Sequence, residues 1–208
     1  MTKKNLKTVL SLFIAMLFAQ INYGQTVTIG SQVWTSKNLD VSTFRNGDPI
    51  PQAKTAEEWE ATWNNKKPAW CYYENDHSNG KKYGKLYNWY AVKDPRGLAP
   101  KGFHIPSDTE WTILVQYLGH DAGKKMKRKK GWHENGNGTD SSGFSGRPGG
   151  RRGASGAFDD VGKVGRWWSS TEYSRFDAWY CCLSSDYGGV TRFYFSKEDG
   201  LSVRCLRD

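Results

Sequence analysis

Apolar and polar residues alternate through Val27-Thr28-Ile29, break at Gly30 and resume in Gln32-Val33-Trp34, which predicts a short β-hairpin. Asn46-Gly47-Asp48-Pro49 marks a turn. A first helix is announced by Thr55-Ala56-Glu57-Glu58, a capping box in which the Thr55 hydroxyl accepts from the Glu58 amide while the Glu58 carboxylate reaches back. Trp59 and Trp63 follow four residues apart, an aromatic face expected in the core. Ser107-Asp108-Thr109-Glu110 repeats the box, and Trp111, Leu114, Val115 and Leu118 recur at helical spacing before Gly119 offers a left-handed stop. Between these helices Gly84 to Val92 reads as a strand, followed by Pro95, Gly97, Pro100 and Gly102 as loop punctuation. From Gly131 to Gly165 glycine is too frequent for more than brief strands. The chain then returns to strands at Arg166–Ser170, Ala178–Leu183, Val190–Phe195 and Leu201–Cys205, a spacing that argues an antiparallel sheet. Helices early and a meander late give an α+β fold.

Composition adds a compartment. Lys3, Lys4 and Lys7 precede the apolar run Val9–Ala19, which is too short to span a bilayer, so residues 1–24 read as an export signal cut after Gly24. No second apolar span follows, so 25–208 is expected as a single exported domain, periplasmic, on the cell surface or secreted, with no membrane span after signal removal. The formal charge is +9, of which Lys3, Lys4 and Lys7 account for three, leaving +6. Much of it sits in Lys124-Lys125-Met126-Lys127-Arg128-Lys129-Lys130, whose plain reading is a hydrated loop; export removes nucleic acid as a routine partner. The domain is rich in Trp, Tyr and Gly and poor in long aliphatic runs, which suits short strands with aromatic plugs.

Export also makes disulfides possible, and the four cysteines allow three complete connectivities. Cys71 and Cys205 both stand in strand-like settings, and a bridge between them would close a very long loop, whereas the neighbours Cys181 and Cys182 bridge poorly. No metal site is expected: His77, His104, His120 and His133 are scattered, and Asp159-Asp160 or Asn75-Asp76 cannot by themselves fill a calcium shell. No cofactor motif is present, and enzyme activity is not expected.

Gln32-Val33-Trp34, Trp70-Cys71-Tyr72-Tyr73, Gly84 to Val92, Gly102-Phe103-His104-Ile105-Pro106-Ser107, Glu110-Trp111, Trp167-Trp168-Ser169-Ser170-Thr171 and Ser202-Val203-Arg204-Cys205 follow one another in an order that resembles the Fibrobacter succinogenes major paralogous domain family. The likeness covers nearly all of the chain after residue 24. It implies a C-type-lectin-like fold related to formylglycine-generating enzymes, found on exported proteins and mostly without an assigned activity. It also implies Cys71 to Cys205 as the natural pair, since both sit in framework motifs.

The stretch from Tyr173 to Ser196 is in addition similar to the variable region of lectin-like proteins diversified by retroelements. Mutation of adenines in AAC codons yields only residues with codons ending in C, so Lys, Glu, Gln, Met and Trp are out of reach. The first four are absent from the stretch, and Trp179 would be framework. Cys181 and Cys182 are then products of variation. A surface of Tyr, Phe, Ser, Gly, Asp and Arg has the makings of a paratope, because aromatic rings give contact area at small rotamer cost. The expected ligand contacts are Tyr173, Arg175, Phe176, Asp177, Tyr180, Asp186, Tyr187, Phe193, Tyr194 and Phe195, with Trp167, Trp168, Trp179 and Arg192 as scaffold. Strand side chains alternate in direction, so about half of the aromatics should point inward. The ligand would be a protein or carbohydrate at a surface. Two rivals stand beside this reading: a structural surface module without a small ligand, and a formylglycine-generating-like oxidase using Cys181 and Cys182.

Overall fold

In the computed structural model, which describes residues 25–208, Trp167 and Trp168 point to opposite sides of one strand and root two separate cores. The export-signal expectation for residues 1–24 lies outside the described residues. Trp168 packs with Tyr87, Trp89, Leu201 and Val203, and its Nε1 donates to the Tyr87 carbonyl at 2.8 Å. Trp167 packs with Trp34, Trp111, Leu114 and Phe144, and its Nε1 donates to Asn38 Oδ1 at 2.8 Å. Neighbouring side chains of a strand leave on opposite faces, so this Trp-Trp pair locks both layers to one backbone. Each indole N–H has an acceptor, which removes the cost of burying it.

The chain enters through β1 (Thr26–Ile29) and β2 (Gln32–Thr35), a hairpin that turns at Gly30 with φ of 60°. Its last strand, β11 (Leu206–Arg207), is inserted between β2 and β5 (Phe103–His104), with Leu206 opposite Trp34 on one side and His104 on the other. Both ends of the described chain thus close one four-stranded sheet. A two-stranded ribbon pairs β3 (Trp70–Cys71) with β4 (Leu86–Tyr87). The larger sheet has the order β10-β9-β8-β6-β7, made of β6 (Gly149–Arg152), β7 (Phe158–Val161), β8 (Val164–Glu172), β9 (Asp177–Ser184) and β10 (Thr191–Ser196). Helices and strands are mixed, so the fold is α+β.

Both capping boxes form. Helix α1 (Ala56–Asn64) starts at Thr55, whose hydroxyl accepts from Glu58 N at 3.1 Å, and Trp59 is buried with its Nε1 on the Glu198 carbonyl. Trp63 departs from the expected core face and is 40% exposed. Three short helices were not anticipated as helices: α2 (His77–Tyr83), α3 (Trp89–Val92) and, after the long α4 (Asp108–Leu118), α5 (Ala122–Met126). Among the described residues no helix is long and apolar enough to cross a membrane.

Two strand expectations are corrected by long-range bonding. Gly84 to Val92 is a strand only at Leu86–Tyr87, because Asn88 Oδ1 accepts from both Ala69 N and Ala91 N and so caps α3. Leu201–Cys205 is not one strand: its backbone bonds in turn to Tyr87, Trp168, Leu39 and Thr35, threading four segments together. The expected Cys71–Cys205 bridge is also absent. Cys71 is buried with Trp59, Tyr73 and Leu86 beside the Arg152 guanidinium, whereas Cys205 is buried in the Trp168 core, and both thiols are free.

Nor is the basic run of 124–130 simply a hydrated loop. Lys127 is 2% exposed and Lys125 Nζ donates to the Leu118 carbonyl at the end of α4. A second buried cation, Arg152, lies between the rings of Trp59 and Phe158 and donates to the carbonyls of Gly156, Ala53 and Thr55, fixing the entrance of α1.

Candidate functional site

The expected contact residues fall along the β8-β9-β10 edge of the large sheet, with Tyr173, Arg175, Phe176 and Asp177 at the turn between β8 and β9 and Asp186 and Tyr187 in the loop at the opposite end of β9. β9 and β10 are in register from Thr191 opposite Cys182 to Ser196 opposite Asp177, which sets Tyr194 beside Trp179. Tyr173, just past β8, lies flat on Tyr194 with ring centroids 3.8 Å apart, and Trp179 stands edge-on to both at 5.2 and 6.0 Å. Phe193 extends the stack at 4.5 Å from Tyr194. Tyr173 and Phe193 are about half exposed, so the four rings form a single open aromatic patch. Each such ring pair contributes about 0.5–1.5 kcal/mol beyond its buried area. That stacking holds the patch rigid.

At the turn before β9, Phe176 is 61% exposed with the Arg175 guanidinium 4.2 Å from its ring centre. Asp177 is not a free contact: its carboxylate accepts from Ser174 Oγ at 2.8 Å, and Ser174 Oγ accepts from Phe176 N and Asp177 N. The loop between β9 and β10 carries Asp186, hydrogen-bonded to Ser184 Oγ, and Tyr187, which is 55% exposed.

Tyr180 and Phe195 turn away from this surface. They stack on each other at 4.6 Å and close the Trp168 core, with the guanidinium of Arg151 4.5 Å from the Phe195 ring. Strand parity is the reason: Tyr180 shares a face of β9 with buried Ala178, while Trp179 takes the opposite one. Expected as contacts, these two aromatics are instead the underside of the site.

The frame grips the site through main-chain carbonyls. Lys127 Nζ donates to the carbonyls of Ser184 and Tyr187 at 2.7 and 2.9 Å, and Lys124 N donates to the Gly188 carbonyl at 2.9 Å. Lys197 Nζ donates to the carbonyls of Ser174 and Arg175 at 2.8 and 3.0 Å and pairs with Glu172. Backbone also meets backbone. A Cβ at Gly123 would lie 1.9 Å from the Gly189 oxygen, and one at Gly136 would lie 2.4 Å from the Ser185 oxygen. Arg192, assigned to the scaffold, grips Asp108 in the first turn of α4 through Nε and Nη2.

Cys181 is fully buried and its burial pushes the thiol well up, and burial takes the Cys182 thiol to about 11. Both shifts disfavour the thiolate. Among the described residues no group of three or more His, Cys, Asp and Glu is placed to hold a metal ion.

The sequence matches the family model described as Fibrobacter succinogenes major domain over residues 27–207. The chain belongs to that family. No curated protein and no solved structure matches it.

Within this member of the Fibrobacter succinogenes major domain family, the matched span takes in the Trp167-Trp168 pair, β11 and every residue of the aromatic patch. Reading the sequence missed two participants. Trp179, assigned to the scaffold, stands at the centre of the exposed rings, and Lys127, assigned to a hydrated loop, holds the 184–187 turn. The pattern of β9, which is apolar on both faces, carried no sign of the first, and only the apolar neighbours Met126 and Trp132 hinted at the second.

Proposed function

We propose that this protein is an exported recognition or adhesion protein of C-type-lectin-like fold that binds a protein or carbohydrate ligand on the face formed by Tyr173, Trp179, Phe193 and Tyr194, flanked by Arg175 and Phe176, with Asp186 and Tyr187 as a further contact point at the far end of β9. The observation that carries it is the exposed, mutually stacked ring cluster, which offers contact area whose ordering cost is already met. The closing of both ends of the described residues in one sheet agrees with the lectin-like reading. The absence of Lys, Glu, Gln and Met from 173–196, in a loop and hairpin held largely by their main chain, agrees with a segment diversified by a retroelement. Burial of Cys181 and Cys182 works against an oxidase, whose chemistry needs an accessible thiolate.

The test is a glycan and cell-surface protein array probed with the protein and with a Tyr173→Ala, Phe193→Ala, Tyr194→Ala variant, whose side chains leave both cores intact. The reading expects specific signals that the variant loses by about tenfold or more, the scale of one or two aromatic hot spots. Equal signals from the two proteins would overturn it in favour of a structural surface module.

A further inference from the structure

Away from the aromatic face, two cavities of about 470 and 310 Å³ adjoin, sharing Lys37 and Arg147 in their walls. Arg128 lines the first, and Lys81 and Lys82 of α2 line the second. Among the described residues none of these five cations has a carboxylate within ion-pair distance. Of the two acids at hand one is paired elsewhere, and the other, Asp140, acts on Arg147 and Arg204 only from beyond ion-pair distance. Asp40, at the rim of the smaller cavity, is paired with Lys85 at 2.6 Å, and Asp140 accepts from Ser145 N and Oγ at 2.8 and 2.7 Å. Beneath the groove lies Arg204, 1% exposed, whose guanidinium donates only to neutral oxygens, those of Asn38, Thr35 and Ser145. Burial, and then the neighbouring Arg128, pull Arg147 below its ordinary range; burial, and then Arg147, do the same to Arg204.

Like charges crowded on a partly desolvated floor, with a single unpaired carboxylate that stands beyond ion-pair distance, are stabilised by an anion brought from outside. We propose that this groove is a second binding site, for an acidic polysaccharide whose carboxylate or sulfate groups step along Lys81 and Lys82, Arg147 and Arg128. Among the described residues the exposed large hydrophobics, Trp63, Ile113, Tyr117, Tyr173, Phe176, Tyr187 and Phe193, lie outside its walls, and Tyr83, the aromatic in them, is buried. Single-stranded nucleic acid therefore finds no stacking platform there, and a membrane finds no apolar wedge. A flexible polyanion needs neither.

Binding of the purified protein to polygalacturonate and heparin, with neutral dextran and a single-stranded oligodeoxynucleotide alongside, tests the site at about 50 and 200 mM salt. Both polyanionic glycans should bind, more weakly at the higher salt, and dextran should not. Arg128→Ser with Arg147→Ser should lower the affinity by about tenfold or more, since each lost charge contact also removes counter-ion release. Lys81→Ser with Lys82→Ser, on exposed helix positions outside the core, should lower it as well. The Tyr173, Phe193, Tyr194 variant should bind the polyanions normally, which separates this site from the aromatic face. No retention of either glycan, or equal affinity in both basic-groove variants, overturns the proposal. Tighter binding of the oligodeoxynucleotide than of the glycans overturns it too.

Discussion

Arg192 and Asp108 form a two-pronged ion pair, with the Nε and Nη2 of the guanidinium each 2.8 Å from a carboxylate oxygen, and it ties edge strand β10 to the first turn of α4. The pair places a carboxylate at the positive end of the helix and closes a flank of the aromatic patch that hydrogen bonds to β9 alone would leave free to fray. It is partly exposed on both sides, so its worth is limited by solvent screening. Arg192→Ala should cost about 1 kcal/mol or less in urea unfolding. The same variant should raise hydrogen exchange selectively at the amides of Thr191 to Ser196.

Lys127 should matter more. Lys127→Met fills a similar volume but strips a buried donor from the carbonyls of Ser184 and Tyr187, in a partly buried setting. A loss of about 1–2 kcal/mol is expected, the worth of hydrogen bonds from a charged donor whose acceptors stay partly open to water. A charge-run lysine on a free loop would show no loss, and equilibrium denaturation distinguishes the two.

Gly123→Ala drives a methyl group into the Gly189 carbonyl, a main-chain collision that no side-chain rotation relieves. The 185–189 loop must shift, at a cost of about 1–3 kcal/mol. Ligand binding that depends on Tyr187 should fall in step, while polyanion binding at Lys81 and Lys82 stays unchanged.

His104 supplies a pH dependence. Its Nδ1 lies 2.8 Å from the carboxylate of the last residue, Asp208, and its Nε2 lies 2.8 Å from Glu110 at the start of α4. Burial alone would lower the imidazole, but the hydrogen bonds to Asp208 and Glu110 outweigh it and the folded value is raised above 6.5. A raised value means that the folded state holds its proton more tightly than the unfolded chain. The stabilisation is therefore whole below about pH 6.5 and is lost as pH rises through the folded value. The difference in melting temperature between the protein and His104→Gln should be largest near pH 6 and shrink by pH 8.5. A constant difference would show that the imidazole acts only by packing.

Thiol chemistry checks the cysteines. Burial pushes Cys71 and Cys205 up to about 12, so neither should react with a disulfide reagent in the folded protein at pH 8. After denaturation all four cysteines should titrate, and a reducing agent should leave the melting temperature unchanged. Two thiols missing from the denatured count would reveal a bridge.

The parts that the sequence made legible are those whose partners are local. Thr55 with Glu58 and Ser107 with Glu110 lie within one turn of each other, and both helices begin where those boxes stand. The hairpin at Gly30 and the meander of β8 to β10 follow from alternation and turn residues in the same way. Asn88 was opaque because what makes it a helix cap is also bonded to Ala69, nineteen residues away. The direction of Trp179 and Tyr180 was opaque for another reason. Both faces of β9 are covered along its middle, by Cys181 and Leu183 on one side and Ala178 and Tyr180 on the other, so alternation has no polar side from which to count. A register shift between Trp168 and Glu172 then decides which rings emerge at the strand end.

The hold that Lys124, Lys127 and Lys197 keep on oxygens of the peptide bonds means that this loop and turn can be rewritten at the level of side chains without being cut loose. All three lysines stand outside 173–196, and what they grasp is identical whichever amino acid occupies the position. The path of the chain is thus inherited from the frame while the identity of its tips is left to change, so one scaffold can present many faces at nearly constant stability.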